Sequence, residues 1–487
     1  MSAFNNNKYL ELQAEKISKR ISQFNNKLYL EFGGKIFDDY HASRVLPGFK
    51  IDSKVQMLFG MKDKVEIIIS INAYDIETSK MRADTGISYE EEVLRMIEQF
   101  KKMELYVGSV VVTKYNQEPA VKVFARKLKS RGIPLFYHYS IPGYPSEIDK
   151  IVSDEGFGKN DYIKTSRSLI VVTAPGPGSG KMATCLSQLF HENKNGIRAG
   201  YAKYETFPLW NLPLNHPVNL AYEAATADLD DVNMIDPFHL NAYNELAVNY
   251  NRDVEVYPIL EALFEKIYGT CPYKSPTDMG VNMVGFCIED EEEVLKACTQ
   301  EIIRRYFAAK VNILYGKGTE KEVDKIKMIM RHIGISVDDR SIVKYAINKA
   351  ESTKVPVLAL EMNDGTIITG KQSSLLTATS AALINAIKYL TGIKDKLKLI
   401  SPSIFEPLQM LKKDVLHNFN YRLNAQDVLT VLSIAATTNP ILENLYEILS
   451  SLKGIEAHST VVLGYEDAKV LKNLEINVSQ EAILKNE

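Results

Sequence analysis

Residues 168–192 read SLIVVTAPGPGSGKMATCLSQLFHE. The apolar, β-branched run at the start of this stretch predicts a strand, and the apolar spacing after Lys181 predicts a helix. The loop between them contains Gly176, Gly178 and Gly180. A strand, a short loop and a helix in this order form one repeating unit of an α/β fold.

Similar units precede this stretch. Residues 65–71 (VEIIISI) form a continuous apolar run, which is typical of a strand covered on both faces. Further strands are predicted over 105–112 and 134–139, with a helix over 120–131 between them. This alternation predicts an amino-terminal α/β domain built on a doubly wound, mostly parallel sheet.

Two local motifs predict where elements begin and turn. Ser88 followed by Glu91 is a capping box ahead of an amphipathic helix. Asn363-Asp364-Gly365 predicts a hairpin turn between two short strands, because Asp-Gly readily adopts positive φ.

The chain divides into three parts by pattern. Strand patterns vanish from about Asn215 to about Gly334, where helical spacing dominates, and alternation resumes after Ser336. We therefore expect an amino-terminal α/β domain, a helical middle domain and a smaller carboxy-terminal α/β domain. Their predicted bounds are 1–214, 215–335 and 336–487.

Composition narrows the classes of function. The 487 residues are 45% hydrophobic and 24% charged, with a net charge of −3 and no basic block, so nucleic acid is not an expected partner. No apolar run reaches 18 residues, and the amino terminus lacks a secretory signal, so we expect no membrane partner. The four cysteines form no CxxC pair, which favours reduced thiols and a cytoplasmic location. A homo-oligomer remains one option for the assembly.

The glycine-rich loop is the first candidate binding site. Glycines let backbone N–H groups converge on an anion, and the helix start and its lysine add positive charge. The candidate ligand-binding residues of this loop are Gly176, Gly178, Ser179, Gly180 and Lys181. The match to a nucleotide-binding P-loop is incomplete, because Pro175 replaces the first glycine and Met182 replaces the hydroxyl that would bind Mg²⁺. The alternative is a glycine turn needed only for tight packing.

Residues 367–374 (IITGKQSS) show a weaker form of the same strand–glycine–lysine pattern. A predicted strand ends at Gly370-Lys371, and Ser373 would start a helix, so Lys371 is a second candidate anion ligand. Ser373 as an ordinary helix cap is the simpler interpretation.

Two polar clusters are candidate catalytic regions. In residues 33–49, His41 could act as an acid–base group poised by Asp38 or Asp39, with Arg44 as an anion clamp. Alternatively, Asp38 or Asp39 caps a helix that carries the other groups on a solvated face. In residues 201–253, dense in Asn, Tyr and Asp, His239 is the second candidate for acid–base chemistry.

The same segment offers ligands. Asn219 and Arg252 are candidate substrate-binding residues there. Asp228, Asp231 and Asp236 are candidate ligands of a hard divalent cation, with Mg²⁺ the candidate cofactor. Alternatively, Asp236 caps a helix that starts at Pro237, and the other two are solvated charges.

Peptidase and esterase motifs are absent. His191-Glu192 begins like HExxH, but no second histidine follows, and no GxSxG is present. The sequence therefore argues against a zinc peptidase.

Five blocks carry a family resemblance: EFGGKIFDDYHASRVLPGF, APGPGSGKMATCLSQLFHE, LPLNHPVNLAYEAATADL, MIDPFHLNAYNELAVNYNRD and YKSPTDMGVNMVGF. The chain resembles, over nearly its whole length, a bacterial family catalogued as domain of unknown function eighteen-forty-six. The resemblance implies an amino-terminal α/β part, a helical insert and a carboxy-terminal α/β subdomain. Some members are labelled ATP-dependent zinc peptidases, but this sequence has neither the zinc motif nor a complete phosphate loop.

Three hypotheses for function follow. The first is an enzyme, a transferase or hydrolase, acting on a phosphorylated or nucleotide-like small molecule held by the glycine loop. The second is a non-catalytic nucleotide or metabolite sensor, which Met182 favours. The third is a scaffold protein without a ligand site.

Overall fold

The computed structural model describes residues 3–82, 86–394, 396–437 and 439–484. The chain forms two compact units, one of Met1–Glu223 with Asp231–Leu295 and one of Ala224–Asp230 with Lys296–Glu487. The three-domain division at 214 and 335 stays a prediction.

The first unit is built on a six-stranded parallel sheet. Its strands are β1 (Leu28–Phe32), β2 (Val65–Asn72), β3 (Tyr106–Tyr115), β4 (Leu135–Tyr139), β5 (Leu169–Thr173) and β6 (Gly200–Tyr204). The strand order is β4-β3-β2-β5-β1-β6, and each neighbouring pair is parallel. Strands β1 and β5 are buried along their whole length, as strands with both faces covered must be. The predicted doubly wound sheet is confirmed.

Helices cover this sheet and extend beyond it. They are α1 (Asn6–Gln23), α2 (Tyr40–Val45), α3 (Ser53–Gly60), α4 (Ala73–Glu77), α5 (Tyr89–Lys102), α6 (Pro119–Lys129), α7 (Ile148–Ile151), α8 (Lys181–Lys194), α9 (Pro217–Ala225), α10 (Pro237–Tyr243), α11 (Asn251–Tyr268) and α12 (Pro276–Met279). The predicted capping box is present at the start of α5, where Ser88 and Glu91 bond each other's backbone N–H groups.

The middle of the chain contains a short hairpin-like sheet that the sequence patterns missed. Strands β7 (Asn233–Ile235) and β8 (Val248–Tyr250) pair antiparallel. The expectation of a strand-free middle region is therefore wrong in this detail. Strands of three residues are too short to display a two-residue period.

The order in which the chain adds strands to the main sheet reverses at one place. From β2 the chain steps outward to β3 and β4, and it then returns to the other side of β2 to form β5. Ligands of open α/β sheets bind outside the carboxyl ends of the strands where such a reversal occurs. The β5–α8 loop leaves the sheet at this point.

The second unit contains a smaller mixed sheet. Its strands are β9 (Val357–Glu361), β10 (Ile367–Lys371), β11 (Glu456–Ser459) and β12 (Asn477–Gln480), in the order β10-β9-β11-β12. The hairpin predicted at Asn363-Asp364-Gly365 joins antiparallel β9 and β10, and Gly365 has φ +81°. Strands β11 and β12 are parallel.

The helices in and leading into this unit follow α12 in the chain. They are α13 (Glu291–Leu314), α14 (Glu320–His332), α15 (Ser341–Thr353), α16 (Ala378–Leu390), α17 (Pro402–Met410), α18 (Ala425–Ala435), α19 (Leu445–Ser450) and α20 (Tyr465–Asn473). Within the ranges that the structure describes, no helix combines the length and hydrophobicity needed to cross a lipid bilayer.

Gly370 marks a close approach between β10 and α16. A Cβ at this position would lie 2.0 Å from the backbone nitrogen of Ala382. We expect Gly370→Ala to lower the free energy of unfolding of the second unit by about 1–3 kcal/mol, because a backbone contact cannot yield as a flexible side chain does. Urea denaturation would measure the loss. Gly464→Ala is the matched control, since a Cβ there meets nothing within 4 Å.

Candidate functional site

The β5–α8 loop has a backbone conformation that requires glycine. Gly178 has φ +76° and Gly180 has φ +82°. Ser179 lies between them, and its hydroxyl donates to the Gly176 carbonyl oxygen at 2.9 Å. A Cβ on Gly180 would also lie 2.9 Å from Thr113, whose hydroxyl donates to the Ser179 carbonyl oxygen at 3.0 Å. Alternating signs of φ turn successive N–H groups toward one side, which is the geometry of an anion nest.

The donors of this loop are unused. None of the backbone N–H groups from Gly178 through Ala183 bonds an acceptor among the described residues. Lys181, the first residue of α8, makes no ion pair or side-chain hydrogen bond within the same described ranges. The loop therefore presents free N–H donors, the positive end of a 14-residue helix and an ammonium group together.

The surroundings of the loop differ from those of a conventional nucleotide hydrolase. Met182 occupies the position at which a hydroxyl would bind Mg²⁺. Asp75, the carboxylate nearest the end of β2, is buried with one oxygen 3.3 Å from the ammonium nitrogen of Lys80. On the α5 side, the hydroxyl of Tyr89 lies close enough to Gly176 to exclude a side chain there.

A charged cluster lies beside the loop, at the carboxyl ends of β1 and β6. We name it the edge cluster: Glu31, Lys181, Lys203, Glu205 and Asp253. The Lys203 ammonium lies 2.5 Å from an Asp253 carboxylate oxygen and 3.3 Å from a Glu205 one. Glu31 accepts a hydrogen bond from the Tyr201 hydroxyl at 2.7 Å.

The edge cluster is enclosed by protein but reached by water. The side chains of Lys203, Glu205 and Asp253 are 21%, 30% and 20% exposed. Burial nevertheless raises the pKa of the Glu205 carboxyl, with Lys203 opposing the shift and Asp253 reinforcing it. Burial and the charge of Glu31 raise the pKa of Tyr144 to about 12. The charged side chains of the edge cluster are therefore half-buried and still reachable from solvent.

The segment that contains His41 leaves the same edge of the sheet. Gly33 follows β1 and Gly176 follows β5, and these strands are neighbours. His41 contacts the rings of Phe207 and Tyr222, with centroids 5.2 and 5.3 Å away. The charge of Glu205 contributes, after burial, to raising the pKa of Tyr222.

The other candidates of this segment have structural partners. Asp38 lies 3.7 Å from Arg95, and the Arg44 guanidinium stacks over Tyr40 at 5.9 Å. The neighbouring Asp39 caps α2 and lies 2.7 Å from the buried Lys54 ammonium. Burial would raise the pKa of Asp39, but Lys54 lowers it below its ordinary value.

The candidates in residues 201–253 mostly hold backbone in place. Asn219 is fully buried and bonds both the N–H and the carbonyl oxygen of Leu209. Asp236 caps α10 as the alternative interpretation predicted, and its second oxygen accepts two hydrogen bonds from Thr277. His239 lies 3.0 Å from the Ser275 hydroxyl.

The remaining candidates are dispersed. Arg252 contacts Asp231 at 3.4 Å, and Asp228 is an exposed residue of the second unit. No cluster of three His, Cys, Asp or Glu side chains suited to a metal ion occurs among the residues described. The magnesium site and the catalytic roles of Asp38, His41, Arg44 and His239 stay predictions.

Lys371 is exposed at the end of β10 in the second unit. The helix expected to begin at Ser373 begins instead at Ala378, with Thr377 as its cap. Ser373 accepts hydrogen bonds from the N–H groups of Leu375 and Leu376, so its hydroxyl closes a turn. The expected helix start at Ser373 is therefore wrong.

Sequence patterns missed Lys203, Glu205 and Asp253. Strand β6 (GYAKY) is mixed in polarity and short, so it gave no strand signal. One available signal was Glu31, a carboxylate near the end of a buried strand and directly before Phe32 and a Gly-Gly pair. A charged side chain in such a position needs partners that the local sequence does not contain.

A shallow pocket of about 530 Å³ lies elsewhere in the first unit, lined by α10, the carboxyl-terminal half of α11 and residues 269–274. No candidate residue from the sequence lines it.

Two protein-family descriptions together match almost the whole chain. Residues 2–334 match the family described as "Domain of unknown function DUF1846, N-terminal", and residues 338–487 match "Domain of unknown function DUF1846, C-terminal". The chain belongs to the DUF1846 family. The resemblance seen in the five sequence blocks is confirmed.

Relatives in the DUF1846 family are similar over almost their full length. "UPF0371 protein SpyM50764" of Streptococcus pyogenes serotype M5 (strain Manfredo) is 54% identical over 481 residues, covering 99% of this chain and 97% of the relative. A "UPF0371 protein" of Streptococcus pneumoniae (strain JJA) is 55% identical over 477 residues, covering 98% and 97%. These descriptions name no activity, so function has to be argued from the site.

Proposed function

We propose that this DUF1846 protein is an enzyme that acts on a phosphorylated small molecule and binds its phosphate on the β5–α8 loop. The observation that carries the proposal is the run of N–H groups from Gly178 through Ala183 and the Lys181 ammonium, none of which has a partner among the residues that the structure describes. The first N–H groups of a helix have no intrahelical acceptors and are satisfied by a side-chain cap, water or a ligand, and no side chain within the described ranges caps α8. A phosphate offers several acceptor oxygens and a negative charge to the same small region.

The position of the loop supports the same function. It lies at the carboxyl edge of the parallel sheet, where the strand order reverses between β2 and β5. Phosphate groups commonly bind at such points, on the first turn of the following helix. The adjacent Lys203, Glu205 and Asp253 supply acid–base groups within the same unit. This polar neighbourhood favours an enzyme.

A non-catalytic sensor is the second candidate. Met182 favours it, because a phosphate held without a hydroxyl-bound Mg²⁺ is bound more readily than it is transferred. A nucleotide and a sugar phosphate are both compatible ligands. Turnover of any bound phosphate compound by the purified protein would decide for the enzyme.

Lys181→Met is expected to weaken phosphate binding by at least about tenfold, since a hydrogen bond from a charged group contributes about 1.5–3 kcal/mol. Thermal unfolding would be followed with inorganic phosphate, sugar phosphates and nucleotides, with and without Mg²⁺. A ligand at about 100 times its Kd should stabilise the wild type by about 2.7 kcal/mol.

Lys194→Met is the matched control, because Lys194 ends the same helix and pairs with Asp154. Lys371→Met tests the second candidate loop in the same assay. Equal stabilisation of wild type and Lys181→Met would contradict the proposed site. Absence of stabilisation by every phosphate compound would leave the scaffold hypothesis in first place.

A further inference from the structure

The side chain of Glu205 leaves β6 and crosses the end of the neighbouring strand. A Cβ on Gly33, directly after β1, would lie 2.5 Å from Glu205 Cγ and 2.8 Å from its Oε1. Gly33 thus leaves the space in which the Glu205 carboxyl lies. Because the strand order is β5-β1-β6, this direction carries the carboxyl toward the β5–α8 loop.

The span between the two sites suits one small molecule. Adjacent strands are about 4.8 Å apart, so the ends of β5 and β6 are separated by roughly 10 Å. Glu205 covers part of that distance by lying over β1. An anion on the loop and the carboxyl of Glu205 would therefore belong to one cleft, and Lys181 is among the charges that act on Glu205.

We propose that Glu205 is the acid–base residue facing the ligand of the β5–α8 loop and that it binds a proton when a dianion occupies the loop. This proposal rests on the phosphate site proposed above. The ligand class is a dianionic phosphate compound whose neighbouring oxygen can accept a hydrogen bond from a protonated carboxyl. Sequence patterns and family descriptions assign no role to this residue.

The charges around Glu205 favour this behaviour. Burial raises the pKa of the Glu205 carboxyl above its ordinary value, and a dianion on the loop would raise this pKa further. The charged groups that act on Glu205 come from four elements: Lys203 of β6, Asp253 of α11, Glu31 of β1 and Lys181 of α8. The charge of Glu205 in turn contributes to raising the pKa values of Tyr222 of α9 and Tyr250 of β8.

Sulfate is the probe, because it stays a dianion throughout the useful pH range whereas phosphate itself titrates. Calorimetric titration would compare the wild type with Glu205→Gln at about pH 5.5 and about pH 8, because raising the pKa of a carboxyl moves the loss of its proton toward higher pH. We expect the wild type to bind sulfate at least about tenfold more weakly at the higher pH, because an ionised carboxylate repels the dianion. Glu205→Gln should bind equally at both pH values.

Proton uptake gives a second readout. Titrations in buffers of different ionisation enthalpy should detect a proton taken up with sulfate by the wild type and none by Glu205→Gln. Glu98→Gln is the control, since Glu98 lies on the exposed surface of α5 and pairs with Arg131. Gly33→Ala is a second variant that keeps the carboxyl but displaces it, and it should reduce the pH dependence.

Three results would be distinguishable. The proposal is supported if the sulfate affinity of the wild type falls between the two pH values while that of Glu205→Gln does not change. An equal change of sulfate affinity with pH in the wild type, Glu205→Gln and Gly33→Ala would overturn the role of Glu205. It would leave the proposed phosphate site on the loop unaffected. Failure of the wild type to bind sulfate or phosphate at either pH would overturn both proposals.

Discussion

Replacing Arg340 with methionine should lower the free energy of unfolding of the second unit by about 3–5 kcal/mol, the usual cost of removing one partner from a buried ion pair. Arg340 is fully buried, and its guanidinium pairs with Glu456. It also bonds β11, β12 and α13. These further acceptors are Gln300 Oε1, the Ala457 and Asn477 carbonyl oxygens and Ser479 Oγ.

The cost arises from the groups left behind. Without the guanidinium, Glu456 Oε2 and the carbonyl oxygens of Ala457 and Asn477 each lose a charged donor, and methionine cannot replace it. Urea denaturation followed by circular dichroism would measure the change in stability. Arg331→Met is the control, because Arg331 is exposed on α14 and should change stability by no more than about 0.5 kcal/mol. A loss below about 1 kcal/mol for Arg340→Met would contradict the proposed importance of this ion pair.

Acidification should destabilise the first unit through His138. This residue of β4 is 3% exposed, and its Nε2 lies 3.2 Å from the amide nitrogen of Gln188. The Gln188 amide is oriented by the Ile163 N–H, which donates to its oxygen at 2.8 Å. An amide nitrogen only donates, so His138 Nε2 carries a lone pair and the ring is neutral.

Burial lowers the pKa of His138 from 6.5 to about 3. The unfolded chain takes up the proton more readily than the folded chain. The contribution of neutral His138 to the free energy of unfolding is therefore complete above about pH 6.5 and declines as the pH falls toward about 3. At about pH 4.5 the loss from this residue should reach about 2.7 kcal/mol.

The measurement is urea denaturation at about pH 7 and about pH 4.5 for wild type and His138→Gln. The variant should lose about 2.7 kcal/mol less than the wild type between the two pH values. His332→Gln replaces an exposed histidine and serves as the control. Identical losses in wild type and His138→Gln would show that the ring is not held neutral.

Much of the framework was predictable because its causes are local. The capping box at Ser88 and the positive φ of Gly365 depend on residues within a few positions of each other. The apolar run that became β2 could be covered on both faces only in a parallel sheet. The glycine loop after β5 was found in the same way, from residues adjacent in sequence.

The candidate site likewise contains residues that local sequence predicts and residues that it does not. Gly178, Gly180 and Lys181 were identified from spacing, and their N–H groups have no acceptor among the residues that the structure describes. Glu205 escaped detection, since its role depends on Gly33, a residue far from it in sequence that leaves room for its side chain. Asp236 shows the opposite case, because its role as the cap of α10 was one of two alternatives that the local sequence offered, and the structure contains that cap.

The sequence by itself determined where β2, β5, α5, α8 and the β9–β10 turn form, and it located a loop able to bind an anion. These properties follow from side-chain periodicity, φ preferences and capping, which act over a few residues. Only the tertiary structure decided that this loop lies where the strand order reverses and that Lys203, Glu205 and Asp253 meet beside it. Strand order and the pairing of distant charges depend on how the elements pack, because burial and Coulomb energy are set by neighbours in space.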